Sequence, residues 1–181
     1  PRDTTQTSIL TNLWRAHVNN DIDKAFFYAD ELIKLGVDLD HIPAEYSGYQ
    51  RMGITYSYID DYEKSNEFYR KGLQLSIERD DSSCIAVMHL NIAVNHNIKN
   101  DSLGYAGCQG LISSVYFNKG QYQLSLEYAL EAMNTYQKYD HYRAKRGEVE
   151  SMTKISRNYL QMNDTVLAID YIKKSISIHR E

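Results

Sequence analysis

Apolar residues recur at helical spacing over most of the chain. Tyr49, Met52, Gly53 and Tyr56 fall on one helix face, and Ser65, Phe68, Tyr69, Gly72 and Leu75 on another. The pattern returns with Ile112, Val115 and Tyr116, then Leu126, Ala129, Leu130 and Met133. It returns again with Ile155 and Tyr159, then Ala168, Ile169, Ile172 and Ile176. Prolines occur only at Pro1 and Pro43, so long helices are permitted nearly everywhere. The periodicity predicts an all-α chain.

Four segments align on the turns between these helices. They start at Ala16, Tyr56, Tyr116 and Tyr159. Their fifth column holds Asn20, Asp60, Gly120 and Asn163, residue types that tolerate the left-handed conformation closing a helix. The sixth holds Asp21, Asp61, Gln121 and Asp164, three of which are good N-caps. The tenth is small throughout, Ala25, Ser65, Ser125 and Ala168, so two helices can approach closely there. Helix pairs joined by tight turns, repeated along one elongated domain of residues 1–181, follow from these columns. The units run over about 3–40, 43–80, 102–140 and 143–181.

Within this framework the run Gly53-x-x-Tyr56, Asp60-Asp61-Tyr62-Glu63-Lys64-Ser65 and Tyr69-x-x-Gly72 resembles a tetratricopeptide repeat. Gly120-Gln121-Tyr122 with Leu126-Glu127-Tyr128-Ala129 resembles a second copy. The resemblance implies an α-solenoid of antiparallel helix pairs wound as a right-handed superhelix, acting as a protein-binding scaffold. The chain departs from the family in three ways. No unit has the terminal proline, and Gly53 has Leu13, Ser113 and Ser156 as counterparts. The spacing is also long: Ala25 to Ser65 is 40 positions and Ser125 to Ala168 is 43, against about 34 in the family.

Between Ser65 and Ser125 the spacing is 60, about one and a half such units. A single helical pattern fills the gap, an irregular helix at 83–99. Ile85, Met88, His89 and Ile92 lie on one face of it, and Val87, Leu90 and Val94 on another. Two readings follow. Either this helix packs alone as an insert, or about twenty residues of a partner helix are missing near 95–100. The repeat arithmetic favours the second and predicts a chain break there.

Composition narrows the function. The formal net charge is −4, which speaks against a partner held by phosphate contacts, so no nucleic acid is expected. No apolar run is long enough to span a membrane, so no direct membrane insertion is expected of this segment. The chain opens on Pro1 rather than methionine, as a processed or excised segment would. Its compartment is open, either periplasmic or cytoplasmic. Sixteen tyrosines against four phenylalanines and one tryptophan suit half-buried positions in thin layers. Cys84 and Cys108 read as two small buried hydrophobes, and a disulfide framework is not expected. Arg143, Lys145 and Arg146 read as a solvated helix start.

Catalytic signatures are missing from the sequence. Gly104, Gly107 and Gly110 lack the Lys-Ser/Thr of a phosphate loop and are read as sites of close helix packing. His89 and His96 share a face but are too few for a metal site. Asp60-Asp61 and Asp80-Asp81 fit helix capping. No enzyme activity, cofactor or metal is expected.

In the family this chain resembles, the first helix of each pair lines a groove. The positions facing away from the pair's own seam are Trp14 and His17, then Gln50, Arg51, Ile54 and Tyr58. The third unit adds Ser114, Phe117 and Asn118, and the fourth Lys154 and Arg157. Trp14, Tyr58 and Phe117 are the aromatic anchors to test first, because aromatic and Arg side chains dominate binding hot spots. For Trp14 the competing reading is a cap on the N-terminal core. Leu10 and Trp14 leave no carboxylate clamp of the chaperone-adaptor kind in the first unit. An extended peptide or protein segment is the expected partner. The Tyr-rich units of about 40 residues also resemble the repeat regions preceding a kinase or DNA-binding output in Bacteroidetes-type regulators, implying a sensor or input region. A peptide-pheromone-type receptor and a free-standing assembly adaptor are the alternatives. Ile172, Ile176 and Ile178 in the last helix leave room for a homodimer through the terminal helices.

Overall fold

The computed structural model describes residues 5–179, the side chain of His179 apart, so residues 3–4 and 180–181 of the expected outer units lie outside it. Among the described residues there are nine helices and no strand. They are α1 (Gln6–His17), α2 (Ile22–Asp38), α3 (Ile42–Tyr58), α4 (Tyr62–Glu78), α5 (Ser82–Ile98), α6 (Ser102–Asn118), α7 (Tyr122–Tyr136), α8 (Tyr142–Gln161) and α9 (Thr165–His179). The chain divides into two compact units, residues 1–84 and 85–181, with the division in the first turn of α5. In the first unit α1 packs on α2, α2 on α3 and α3 on α4. The second repeats this order from α6 to α9.

The turns explain why the helices are so even. Asp40, Asp60, Asp80, Asn100 and Gly120 all have positive φ, between 48° and 72°, and they stand 20 residues apart. Asp and Asn are the side chains that enter this region at least cost, and Gly enters it freely. At each of these positions the following amide reaches back five residues: His41 to Gly36, Asp61 to Tyr56, Asp81 to Ser76, Asp101 to His96 and Gln121 to Tyr116, at 2.8–3.0 Å. This is the Schellman closure, which satisfies a carbonyl left open by the helix end. In five turns the next helix is then capped by an aspartate; Asp81 accepts from the Ser83 and Cys84 amides, each at 3.0 Å. Asp21 accepts from the Lys24 amide, Asp61 from Lys64, Asp101 from Gly104 and Asp164 from Leu167, at 2.9–3.1 Å. One residue closes a helix and its neighbour opens the next. Asn20 is the exception to the expected left-handed column; that turn is made by Asn20 and Asp21 amides donating to His17 instead.

This 20-residue step corrects the reading of the middle of the chain. Ser65 to Ser125 is 60 residues, three helices with their turns, and α4, α5 and α6 are each 17 residues long. No chain break occurs near 95–100. The Lys99 amide donates to Asn95, Asn100 to Asn97 and Asp101 to His96. The repeating element is one helix plus its turn, so an odd helix needs no missing partner.

The small tenth column is fully buried: Ala25, Ser65, Ser125 and Ala168 are each 0% exposed. Beside it an aromatic pair recurs. Tyr56 stacks on Phe68 at 5.4 Å, Tyr116 on Tyr128 at 5.5 Å and Tyr159 on Tyr171 at 5.8 Å. In the first unit Ala16 holds the corresponding place, and His17 stacks on Tyr28 at 5.6 Å instead. Each such pair adds about 0.5–1.5 kcal/mol beyond its buried area. All four pairs are stacked, and six of their eight rings are tyrosines, which accounts for part of the tyrosine bias.

Asp101 gives a local test of the turn scheme. It caps α6 through Gly104 and also lies 2.9 Å from His96 Nδ1. The Gly104 amide, more than the nearby histidine, holds its carboxyl below the ordinary value of 3.8. Asp101→Ala is expected to cost about 1 kcal/mol at neutral pH. Because the folded-state value is depressed, this contribution is complete above the unfolded value and fades as pH falls through the folded one. Urea titrations of both proteins from pH 7 to pH 3 should therefore converge at the acid end. A constant difference would mean that the charge is irrelevant.

Candidate functional site

Gly107, Gly110, Ser114 and Phe117 follow one another along α6 at three- and four-residue intervals and so share a face. Lys154 and Arg157 do the same on α8, and α6 packs directly against α8. All five groove positions expected from the third and fourth units meet here. Ser114, Phe117, Asn118, Lys154 and Arg157 line one cleft of about 20 Å³ together with Ser113, Ser125 and Asn158. The Arg157 guanidinium lies 4.4 Å from the centre of the Phe117 ring, a cation–π contact. Asn158 was not anticipated as a site residue. It is fully buried, its Nδ2 donates to the Lys154 carbonyl at 3.0 Å, and its Oδ1 has no hydrogen-bond partner.

Close helix packing by the α6 glycines holds only at Gly104, where a Cβ would lie 2.5 Å from Asp101 Oδ2 and His96 Nδ1. At Gly107 and Gly110 it does not hold. The nearest atoms would be the Tyr136 hydroxyl at 3.6 Å and Lys154 Cε at 3.8 Å, ordinary contacts. These two glycines leave the α6 surface low beside the cleft.

The six positions from the first two units are arranged differently. Trp14 is only 7% exposed and belongs to a core cluster with Val18, Ala25, Ala29 and Met52. Its Nε1–H donates to Thr55 Oγ1 at 3.0 Å, and the Arg51 guanidinium stands 5.3 Å from its ring. Arg51 is half-buried, and desolvation pulls its pKa below the ordinary guanidinium value. Gln50 accepts from Arg51 at 3.3 Å, Ile54 packs on the same core and His17 is held on Tyr28. Tyr58 alone is well exposed, at 54%. Trp14 is therefore core, as the competing reading had it, and Tyr58 is the aromatic side chain on offer in this unit.

Chemistry elsewhere is sparse among the described residues. They contain no cluster of three His, Cys, Asp or Glu able to hold a metal, and no helix long and apolar enough to cross a membrane. Cys108 is buried, as expected of a small hydrophobe, whereas Cys84 is only half-buried. Lys145 and Arg146, in the basic helix start, pair with Asp140 and Glu150 at 3.1 Å.

Residues 46–76, from α3 into α4, match the family model described as tetratricopeptide repeat. No curated protein matches the sequence. Among solved structures, BtubC (BKLC) from P. vanneervenii has 15% identity, with 97% of this chain and 79% of that chain covered and a TM-score of 0.46. A putative kinesin light chain from Podosopora anserina with TPR-like repeats has 11% identity, coverage of 99% and 97%, and a TM-score of 0.49. MamA protein has 16% identity, coverage of 96% and 92%, and a TM-score of 0.49. The matched residues span the α3–α4 turn and Ser65. Among the described residues the fold is all-α, with α1 to α4 and α6 to α9 each packed in sequence order.

Proposed function

We propose that this chain is a protein- or peptide-binding helical-repeat scaffold, that it is not an enzyme, and that it serves as the sensor or input region of a larger signalling protein. The observation that carries the binding part is the α6/α8 cleft, where five groove positions read from the sequence converge. The signalling part rests on the likeness of its tyrosine-rich units to such input regions. A partner held through nucleic-acid phosphates does not suit the net charge of −4. Self-association belongs to the same reading, since Ile172 and Ile176 are 41% and 46% exposed on α9. Ile178 instead packs on the core of the second unit.

Screening the whole chain against an immobilised peptide array tests the binding part. Phe117→Ala is expected to weaken each selected peptide about tenfold, the scale of a single hot-spot side chain. Folding is to be checked by circular dichroism. Selected peptides that bind Phe117→Ala and Tyr58→Ala as well as the parent would remove the groove from the reading. Light scattering that finds only monomer at high concentration would remove self-association.

A further inference from the structure

The small positions Ala25, Ser125 and Ala168 give α2, α7 and α9 a common register. One, four and eight residues after them stand Phe26, Ala29 and Ile33 on α2, Leu126, Ala129 and Met133 on α7, and Ile169, Ile172 and Ile176 on α9. On α2 and α7 this face belongs to a core. Ala29, Leu126, Ala129 and Met133 are buried, and Phe26 and Ile33 pack against the core of the first unit. The α7 residues share their cluster with Met152 and Ile155 of α8. On α9 the same three positions are all isoleucine, three and four residues apart on one face, and they are 50%, 41% and 46% exposed. The residues α9 gives to the core of the second unit are Tyr171 and Ile178, on a different face. α9 is therefore apolar on two faces, and among the described residues only one of them is covered.

The surfaces this chain could set against those isoleucines are not equivalent. On α1 the positions aligned with Met152 and Ile155 are Ile9 and Asn12, with Thr5 and Ala16 a turn to either side, and all four are exposed. That stripe is largely polar, as the capped end of a helical array is. Laying it on three isoleucines would take the Asn12 amide out of water. The α5 stripe of Val87, Leu90, Val94 and Ile98 is apolar and exposed. A contact between unlike faces, however, leaves one of each open on every copy, so it forms a ring or keeps growing. A second α9 closes the contact with a single face, the commonest symmetry of soluble oligomers. Ile172 is the eighth of the fifteen residues of Thr165–His179. An antiparallel pair centred on it overlaps along the whole helix, about 22 Å, and sets Ile169 beside Ile176 of the second copy. Lys173 flanks the isoleucines and can lay its stem along them with the ammonium in water.

We propose that α9 docks on α9 of a second copy of this chain, antiparallel about Ile172, so that Ile169, Ile172 and Ile176 of both copies are buried together. This rests on the self-association named above and assigns its face and its symmetry. A contact one helix long stays under about 1,200 Å², the size of a transient interface, so a weak dimer with a Kd of about 10 µM is expected.

The test is sedimentation velocity on the whole chain at loading concentrations from about 1 to about 500 µM, either side of that Kd. A monomer–dimer equilibrium is expected, with no larger species. Ile172→Lys should raise the Kd at least about tenfold, the scale of one central contact. Val94→Lys, on the α5 stripe, should leave it unchanged. Both positions are exposed, and circular dichroism checks that each variant is folded. Raising salt to about 0.5 M should not weaken the dimer, because the contact is apolar and a lysine stands beside it. Single cysteines then read the direction in a Cys84→Ser background, Cys108 being buried. Ile172→Cys should crosslink to itself on oxidation. Ile169→Cys mixed with Ile176→Cys should give mainly the mixed dimer. A dimer that Ile172→Lys leaves intact overturns the placement on α9, while self-association stands. Monomer at every concentration overturns both and leaves the isoleucines to a helix of another protein. Dissociation in salt overturns the apolar contact. Growth into larger species, or Ile169→Cys crosslinking to itself in place of the mixed pair, overturns the antiparallel twofold.

Discussion

Trp14→Ala is expected to lower stability by about 3–5 kcal/mol, the range for truncating a large buried aromatic. Three losses add up at this site. The indole is 7% exposed in a cluster with Ala25, Ala29 and Met52, so its removal opens a cavity between α1 and α3. Its N–H bond to Thr55 Oγ1 also goes, although the Thr55 hydroxyl still donates to the Arg51 carbonyl at 2.7 Å. The half-buried Arg51, whose charge is already disfavoured by desolvation, loses the ring beneath it. Since a domain has only about 5–15 kcal/mol of net stability, this variant should show a much lower urea midpoint by far-UV circular dichroism. Trp14→Phe keeps most of the apolar surface and should lose much less. A Trp14→Ala protein with an unchanged midpoint and lost peptide binding would make Trp14 an outward anchor after all.

Trp14 also shows where sequence pattern stops being informative. Helical spacing says which face of α1 carries a residue, and that part is correct. It does not say which neighbour covers that face, and the covering residue, Thr55, is 41 positions away. The α6/α8 positions were easier because one cleft collects residues set three and four apart on two helices that touch. Asn158 was missed there because nothing in its own segment marks a buried amide as unpartnered. That is a property of its partner column, where Ser114 is too small to reach it.

The middle of the chain was misjudged for a different reason. The columns chosen for alignment mark only every second helix, so an extra α5 reads as half a unit. The finer signal was present in Asp80-Asp81 and Asn100-Asp101, which have the chemistry of Asp60-Asp61. An αL residue followed by a capping aspartate is a complete helix-to-helix turn. Counting those turns would have returned the 20-residue step.

The departure of Leu13, Ser113 and Ser156 from Gly53 has a packing reason that leads to the second large effect. A Cβ at position 53 would strike Cε1, Cδ1 and Cζ of the Tyr69 ring, which is 3% exposed and has no room to retreat. The columns facing Leu13 and Ser113 hold Ala29 and Ala129 where this repeat holds Tyr69, and both alanines are fully buried. The column opposite Ser156 holds Ile172, so among the four pairs glycine occurs only where the facing residue is the tyrosine ring. Gly53→Ser alone is expected to cost about 2–3 kcal/mol from overpacking. Tyr69→Ala alone should cost about 3–5 kcal/mol through the cavity it leaves. The double variant recreates the Ser113–Ala129 pair of the second unit, so its loss should fall at least about 1 kcal/mol short of the sum. Urea denaturation of the four proteins measures that coupling directly. Strict additivity would mean that Gly53 is required by its backbone rather than by the ring opposite, and its φ is not among the positive values that would demand glycine.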